Sequence, residues 1–155
     1  MFSAKIVSSK NFTWVQKKIL NTSIIQLEDI FNSKKFKSTV INFKSPYTKK
    51  KRFLENNEYS NLEIYNELMI VAEFYVELDD STPERKIIGY TYPSQKTIYT
   101  YKWWFDKYGK NYYAAHLAHE WCHKLGFDHT SSHKKRWKYT VPYVIGQVVT
   151  ELIDG

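Results

Sequence analysis

The sequence has too little cysteine to be held together by disulfide bonds. Its 155 residues include one cysteine, Cys122, which excludes any intramolecular disulfide, so stability must come from packing and from any bound metal. No linker, internal repeat or low-complexity tract divides the chain. A sequence of this length is the size of one domain, and we expect residues 1–155 to fold as a single unit.

Long hydrophobic runs are also missing. Residues 1–20 interleave lysines and polar residues with apolar ones and contain no unbroken apolar core of signal-peptide length. No stretch of the sequence is apolar enough to span a membrane. These absences predict a protein without a membrane partner that is cytoplasmic or is released by a route other than a classical signal. We expect it to be a monomer.

Positive charge is present in excess. The formal net charge is +7, and the basic residues cluster in runs at 34–37, 49–52 and 134–136. Such runs attract acidic partners, although most of them are simply solvated surface. No nucleic-acid-binding motif accompanies them, so nucleic acid is not the expected partner.

The most informative run extends from residue 119 to residue 129 and reads H-E-W-C-H-K-L-G-F-D-H. On a helix, His119 and His123 leave the same face about one turn apart and can bind a single ion. Glu120 points beside that face, where its carboxylate can act as a general base toward water at the metal. Gly126 suits the left-handed residue that ends a helix, and the turn brings His129 toward the same ion. Three nitrogens and one open position are typical of catalytic zinc sites.

The residues around the motif predict a helix from Tyr112 to Leu125, capped by Asn111. One face of this helix is apolar and should pack against the core, whereas the other carries the histidines. The packing face comprises Ala114, Leu117, Ala118, Trp121 and Leu125. The other face comprises Tyr112, His116, His119 and His123.

Four further residues lie in or near the motif and differ in their expected roles. His116 is a candidate for a hydrogen bond to a ligand or for lining the cleft, with a plain surface histidine as the alternative. Asp128 is a candidate for orienting a ligand imidazole. Cys122 falls on the packing side of the helix and is expected in the core. Nothing in the spacing places His133 at the metal.

The extended pattern H-E-x-x-H-x-x-G-x-x-H resembles the signature of the metzincin zinc peptidases, which the chain matches at all five defined positions. The resemblance implies an α+β fold with a mixed twisted sheet, a backing helix, an active-site helix and a C-terminal helix. It also implies one zinc ion bound by His119, His123 and His129, with Glu120 as the general base of peptide-bond hydrolysis in a protein or peptide substrate. In metzincins the substrate lies along the edge strand before the active-site helix, which would fall within residues 86–104.

Downstream of the motif the chain departs from the metzincin pattern. Metzincins have a methionine turn below the metal, but the methionines of this chain, Met1 and Met69, both precede the motif. The nearest candidate turn is residues 139–143, in which Val141 would take the methionine position and pack beneath the ligands. Tyr143 would then be placed to hydrogen-bond the oxyanion that forms during hydrolysis, a catalytic role that competes with that of a buried structural tyrosine.

Outside the motif, the hydrophobic pattern predicts a helix, then strands, then the motif helix. Helices are predicted over residues 11–32 and 61–68, with a closing helix over 142–155. Strands are predicted over residues 38–43, 70–78, 86–92 and 97–104, the last two joined by a turn at 93–94.

Two other classes of function remain open. The first is a gluzincin-like hydrolase whose third ligand is a downstream acid such as Glu151, which the presence of His129 disfavours. The second is a catalytically inactive, zinc-stabilised basic binding module, in which the missing methionine turn reflects lost catalysis. Activity distinguishes the second class from a peptidase.

Overall fold

The computed structural model describes residues 1–47, 52–129 and 134–155. Four strands and a set of helices are present. The strands are β1 (Ala4–Lys10), β2 (Ala72–Asp79), β3 (Gly89–Thr91) and β4 (Thr97–Tyr101). The helices are α1 (Trp14–Phe31), α2 (Lys34–Ile41), α3 (Asn61–Leu68), α4 (Lys102–Trp104), α5 (Lys110–Lys124), α6 (Lys134–Trp137) and α7 (Val141–Asp154), and a π-helical segment, Phe105–Gly109, joins α4 to α5.

The four strands form one mixed sheet in the order β1-β2-β4-β3. β2 pairs in parallel with β1 and β4, whereas β3 pairs antiparallel with β4. β3 is therefore an edge strand that precedes the motif helix in the chain. This arrangement confirms the predicted α+β class and the mixed sheet. β1 was missed, because its pairing register shifts between Ile6 and Ser8 and such a bulge breaks the alternation that marks a strand.

Helices cover one face of the sheet, and the core lies between the two layers. Along β2, Phe74 and its alternate neighbours are buried while the residues between them are more exposed. Phe74 meets Trp121 of α5 edge-on, with ring centroids 5.7 Å apart. The Trp121 indole Nε1 donates a hydrogen bond to the Leu68 carbonyl at 3.2 Å. These contacts anchor the motif helix to β2 of the sheet and to the end of α3.

The predicted packing face of α5 is confirmed. Its buried members are Ala114, Leu117, Ala118 and Trp121, while Leu125 packs against the core partly buried. Cys122 is fully buried, as expected for a thiol on that side. The helix begins at Lys110, however, and continues from the π-helical segment, so Asn111 lies inside the helix and the prediction that it caps the helix was wrong.

The strand predicted over residues 38–43 was also wrong, because residues 38–41 are the second half of α2 and Asn42 is its C-cap. The Ser33 hydroxyl caps α2 by accepting a hydrogen bond from the Phe36 backbone N–H at 3.1 Å. Phe36 and Val40, four residues apart, are both fully buried, as a helix requires for two residues on one face. The β-branched residues here are therefore part of an amphipathic helix.

The other predicted elements are present with small shifts. The helix over 11–32 is α1, which starts later, after a capping box formed by Thr13 and Gln16. The helix over 61–68 is α3 with the same bounds, and the strand over 70–78 is β2. The strands over 86–92 and 97–104 are shorter, as β3 and β4, and the closing helix is α7. None of the helices in the described ranges is both long and apolar enough to cross a bilayer.

Candidate metal centre

The end of α5 is built to reverse the chain. Gly126 has φ = +95°, a left-handed conformation that suits glycine. Its N–H donates to the His123 carbonyl at 3.0 Å, and the Phe127 N–H donates to the Cys122 carbonyl at 3.0 Å. This pair of bonds is the Schellman arrangement that ends a helix. The reversal sends the segment after Gly126 back along the helix, as the motif predicts.

The reversal brings the three motif histidines together. His119 and His123 stand one turn apart on α5, with ring centroids 5.1 Å apart. The ring of His129 lies 5.4 Å from that of His119 and 4.6 Å from that of His123. The three ligand atoms lie within 4.8 Å of one another, which is close enough to hold a metal ion.

Backbone carbonyls orient two of the three imidazoles. His123 Nδ1 lies 2.9 Å from the Phe127 carbonyl oxygen, which can only accept, so Nδ1 carries the proton and Nε2 keeps its lone pair. His119 has a hydrogen bond to the backbone of Pro142, where only the carbonyl is available because proline has no N–H. Asp128 lies farther from His123 Nδ1, at 3.7 Å. The carbonyl of Phe127 therefore orients His123 more directly than the predicted Asp128.

The surroundings keep His119 and His123 neutral. Burial and the neighbouring His123 and His129 hold the pKa of His119 well below its usual range. Burial and His129 lower the pKa of His123 to about 4. Neutral imidazoles offer the lone pairs that a metal ion needs, so His119 and His123 are ready to bind a metal at neutral pH.

Glu120 combines burial with an unused acceptor. Its side chain is 6% exposed, and Oε2 has no hydrogen-bond partner among the described residues. Burial raises the pKa of Glu120 to about 7, against an opposing effect from Lys124. A buried carboxyl without a partner is costly, and such groups are common at sites that move protons. The position next to His119 therefore suits a proton acceptor.

Tyr143 lies against the histidines, as its place after the motif predicts. It stands in the first turn of α7, with its ring 4.9 Å from His119 and 4.8 Å from His129. The side chain is 37% exposed, so it faces a cleft and is not a buried structural tyrosine. Burial and Glu120 raise the pKa of Tyr143. Val141, the residue at the predicted methionine position, is fully buried.

His116 is buried and lines the cleft, so the alternative of a plain surface histidine was wrong. Its Nε2 lies 2.9 Å from Thr100 Oγ1 on β4, and its ring is 5.5 Å from that of Trp104. Burial lowers the pKa of His116 to about 3. It is thus a neutral imidazole that joins α5 to the sheet.

A cleft of about 910 Å³ opens around these groups between β3, α5 and α7. Tyr112, predicted on the histidine face of the helix, lines this cleft. Several other lining residues were not predicted as site residues; among them are Trp104, Tyr108, Lys124 and Gly146. For Tyr108 the available signal was its helical spacing before Tyr112 and His116.

The sequence alone did not indicate Lys124 as a residue of the site, because a lone lysine at a helix end usually lies on the solvated surface. Its Nζ donates to the Tyr92 carbonyl at 3.2 Å and also to the Gln95 carbonyl. Lys124 therefore fastens the turn between β3 and β4 to α5, the helix that carries His119 and His123. Only the folded chain brings these carbonyls within reach.

The alternative third ligand does not join the cluster. Glu151 is exposed and accepts a hydrogen bond from Gln147 at 3.2 Å. The described residues that could hold a metal together are His119, His123 and His129. His133, which the spacing did not place at the metal, lies outside the described residues.

Comparisons of the chain with protein-family models, with curated proteins and with solved structures found no match. The functional proposal accordingly depends on the chemistry of the site and on the resemblance of its motif.

Proposed function

We propose that this protein is a zinc-dependent endopeptidase of the metzincin type that hydrolyses peptide bonds in a protein or peptide substrate. The observation that carries the proposal is the juxtaposition of three histidines with Glu120, a buried carboxyl that has an unused oxygen. The site lies in an open cleft, as an enzyme acting on a polymer requires.

Zinc is the metal that this donor set favours. Three imidazole nitrogens with one open position are the ligands of many catalytic zinc sites, whereas calcium and magnesium prefer oxygen. The carbonyl partners of His119 and His123 support the same assignment, because ligand imidazoles in metal sites usually donate their other N–H to such a group. The residues present therefore fit the ion.

Glu120 is the proposed general base. A bound zinc ion supplies Lewis acidity, which activates water and polarises a carbonyl. Glu120 accepts the proton of the attacking water and then delivers it to the leaving amine. Among the described residues, none hydrogen-bonds to the buried Oε2 of Glu120, so this oxygen is free to accept that proton. Tyr143, against His119 and His129, is the proposed donor to the oxyanion.

The substrate is proposed to bind along β3. This strand pairs only with β4 within the described residues, so its other edge offers backbone groups to an extended peptide. Residues 86–92 line the cleft from this side. The peptide would then pass between β3 and the helices with its scissile bond beside Glu120.

The metzincin fold is part of the proposal. It is supported by the mixed sheet with an antiparallel edge strand, by α5 with its glycine turn, and by α7 carrying Tyr143. Val141 would replace the methionine of the metzincin turn. Val141 is apolar and fully buried, so it can pack in that position as the methionine would. Valine supplies no sulfur.

The test compares metal content and cleavage of casein for the wild type, Glu120→Ala and the control Glu151→Gln. We expect one zinc per chain in all three proteins. Cleavage should fall by about 10²–10⁴-fold in Glu120→Ala, the usual contribution of a general base, and should persist in Glu151→Gln. Full activity in Glu120→Ala would overturn the mechanism. Bound zinc without any Glu120-dependent cleavage would favour the inactive binding module.

A further inference from the structure

The excess positive charge of the chain is concentrated in two segments. Residues 32–54 contain eight lysines or arginines and residues 129–150 contain four, and neither segment contains an acidic residue. The rest of the chain has 11 basic and 16 acidic residues, a net charge of −5. The net charge of +7 is therefore the sum of two strongly basic segments and a remainder of the chain that is acidic.

The fold joins these two segments. The Leu54 N–H donates to the Tyr139 carbonyl at 3.0 Å, and Leu54 forms a parallel bridge with Thr140. The rings of Tyr47 and Tyr139 meet edge-on at 5.6 Å. The Arg136 guanidinium lies over the Tyr47 ring, 4.8 Å from its centroid. The described parts of two segments that are about 90 residues apart in the sequence thus meet at one surface.

We call this surface the basic lobe and define it by the described residues Lys44, Arg52, Arg136 and Lys138. Lys44, Arg136 and Lys138 are exposed, and Arg52 is half-buried. Within the described part of the chain, none of the four forms an ion pair, since the ion pairs there involve other residues. Their charges are therefore available to a partner.

The basic lobe lies next to the cleft. Tyr139 is four residues from Tyr143, so their Cα atoms are at most about 14 Å apart. On the other side, Asn57 Nδ2 donates to the Gly126 carbonyl at 2.9 Å, which ties the segment after Leu54 to the turn of the motif. Lys124 extends the positive charge into the wall of the cleft itself.

We propose that the basic lobe is a docking surface for an acidic segment of the protein substrate, a run of aspartate and glutamate outside the part held in the cleft. This inference rests on the proposed peptidase function. An arginine stacked on Tyr47 is pre-organised and keeps its N–H groups free for a carboxylate. Arg136 already lies over the Tyr47 ring, so that face of the ring is not free to stack on a base as single-stranded nucleic acid requires.

Binding can be tested without catalysis, using the full chain and a fluorescent octaglutamate peptide. The lobe variant replaces Lys44, Arg136 and Lys138 with glutamine. The control variant makes the same charge change at the exposed Lys5, Lys17 and Lys110, which lie outside the lobe. We expect the Kd for octaglutamate to rise about tenfold in the lobe variant, as for the loss of several exposed ion pairs, and less than about twofold in the control.

Two results would overturn the proposal. Equal weakening in both variants would show that octaglutamate responds only to net charge. The wild type could also bind an oligothymidylate of the same charge more tightly than octaglutamate. That result would assign the basic lobe to nucleic acid. Thermal unfolding of each variant verifies that the comparison is between folded proteins. A salt titration tests the charge dependence in the wild type itself, whose affinity for octaglutamate should fall with ionic strength.

Kinetics separate this inference from the peptidase proposal. A quenched peptide with an acidic tail should show a KM about tenfold higher in the lobe variant, in line with the binding loss, whereas the same peptide with a neutral tail should be cleaved equally by both proteins. An unchanged KM for the acidic-tailed peptide would overturn docking. If the wild type cleaves neither peptide, the peptidase proposal fails while octaglutamate binding still decides whether the lobe recognises acidic chains.

Discussion

Gly89 of the edge strand lies directly against the imidazole of His116. A Cβ atom on residue 89 would be 2.8 Å from His116 Cε1 and 2.2 Å from the Tyr99 carbonyl oxygen, so no larger residue fits without moving the strand. His116 in turn has its Nε2 2.9 Å from Thr100 Oγ1. Two strands and the motif helix α5 therefore meet at one neutral imidazole, one turn before His119.

Gly89→Ala should impair catalysis without removing the metal. The added methyl group would push β3 away from α5 and widen the cleft, while the three histidines keep their positions. We expect one zinc per chain and a loss of casein cleavage of about 100-fold, the order expected for a misplacement of about 1 Å. The control is Gly155→Ala, where the added Cβ has no neighbour within 4 Å and the strain at φ = +127° falls after α7, away from β3. Full activity in Gly89→Ala would show that the position of β3 does not matter.

Acid should destabilise the protein through His116. Burial lowers its folded-state pKa to about 3 from an ordinary value of 6.5, so the unfolded chain binds a proton first. The stability contribution is therefore fully present above pH 6.5 and is lost as the pH falls toward 3. Between pH 6.5 and 5, the metal-free wild type should lose on the order of 1–2 kcal/mol more unfolding free energy than metal-free His116→Gln. Urea unfolding at both pH values measures this difference, and parallel losses would contradict it.

His129→Ala should weaken zinc binding. The substitution removes one of three nitrogen donors. Removing only a group that hydrogen-bonds to a ligand typically weakens metal affinity about 10–100-fold, so loss of a donor should weaken it more. We therefore expect the zinc Kd to rise by more than about 100-fold, measured by competition with a chelator. Asp128→Asn is the matched control, because Asp128 lies 3.7 Å from His123 Nδ1 and is exposed; its Kd should change little. An unchanged affinity in His129→Ala would mean that a different third ligand is used.

Tyr143→Phe should slow the chemical step selectively. The phenol is proposed to donate to the oxyanion, and loss of one such donor typically lowers kcat by about 10²–10³-fold. The ring contacts with His119 and His129 would be kept by phenylalanine, so zinc content and thermal stability should hold. Tyr139→Phe serves as a control, since Tyr139 packs on Tyr47 in the basic lobe. Equal kcat values for wild type and Tyr143→Phe would assign Tyr143 a packing role.

Local rules in the sequence were enough to predict the centre of the site. The spacing of His119 and His123 on a helix, the left-handed turn at Gly126 and the return of His129 depend on a few bonds along eleven residues, and the structure has all of them. The same reasoning failed for residues 38–43, where β-branched residues suggested a strand. The Ser33 cap and the burial of Phe36 stabilise a helix there instead, because packing overrides the weak preference of β-branched residues for a strand.

By itself, the sequence determined which three histidines could bind a metal ion together, the acid beside them, the α+β class and the separation of charge along the chain, because each is a matter of residue type and short-range spacing. Only the tertiary structure decided that His116 supports Gly89, that Lys124 holds the turn after β3, and that the segments around Tyr47 and Tyr139 meet as one basic surface. These relationships join residues far apart in the chain. No periodicity encodes such contacts, since they arise only when the sheet and the helices pack on a common core.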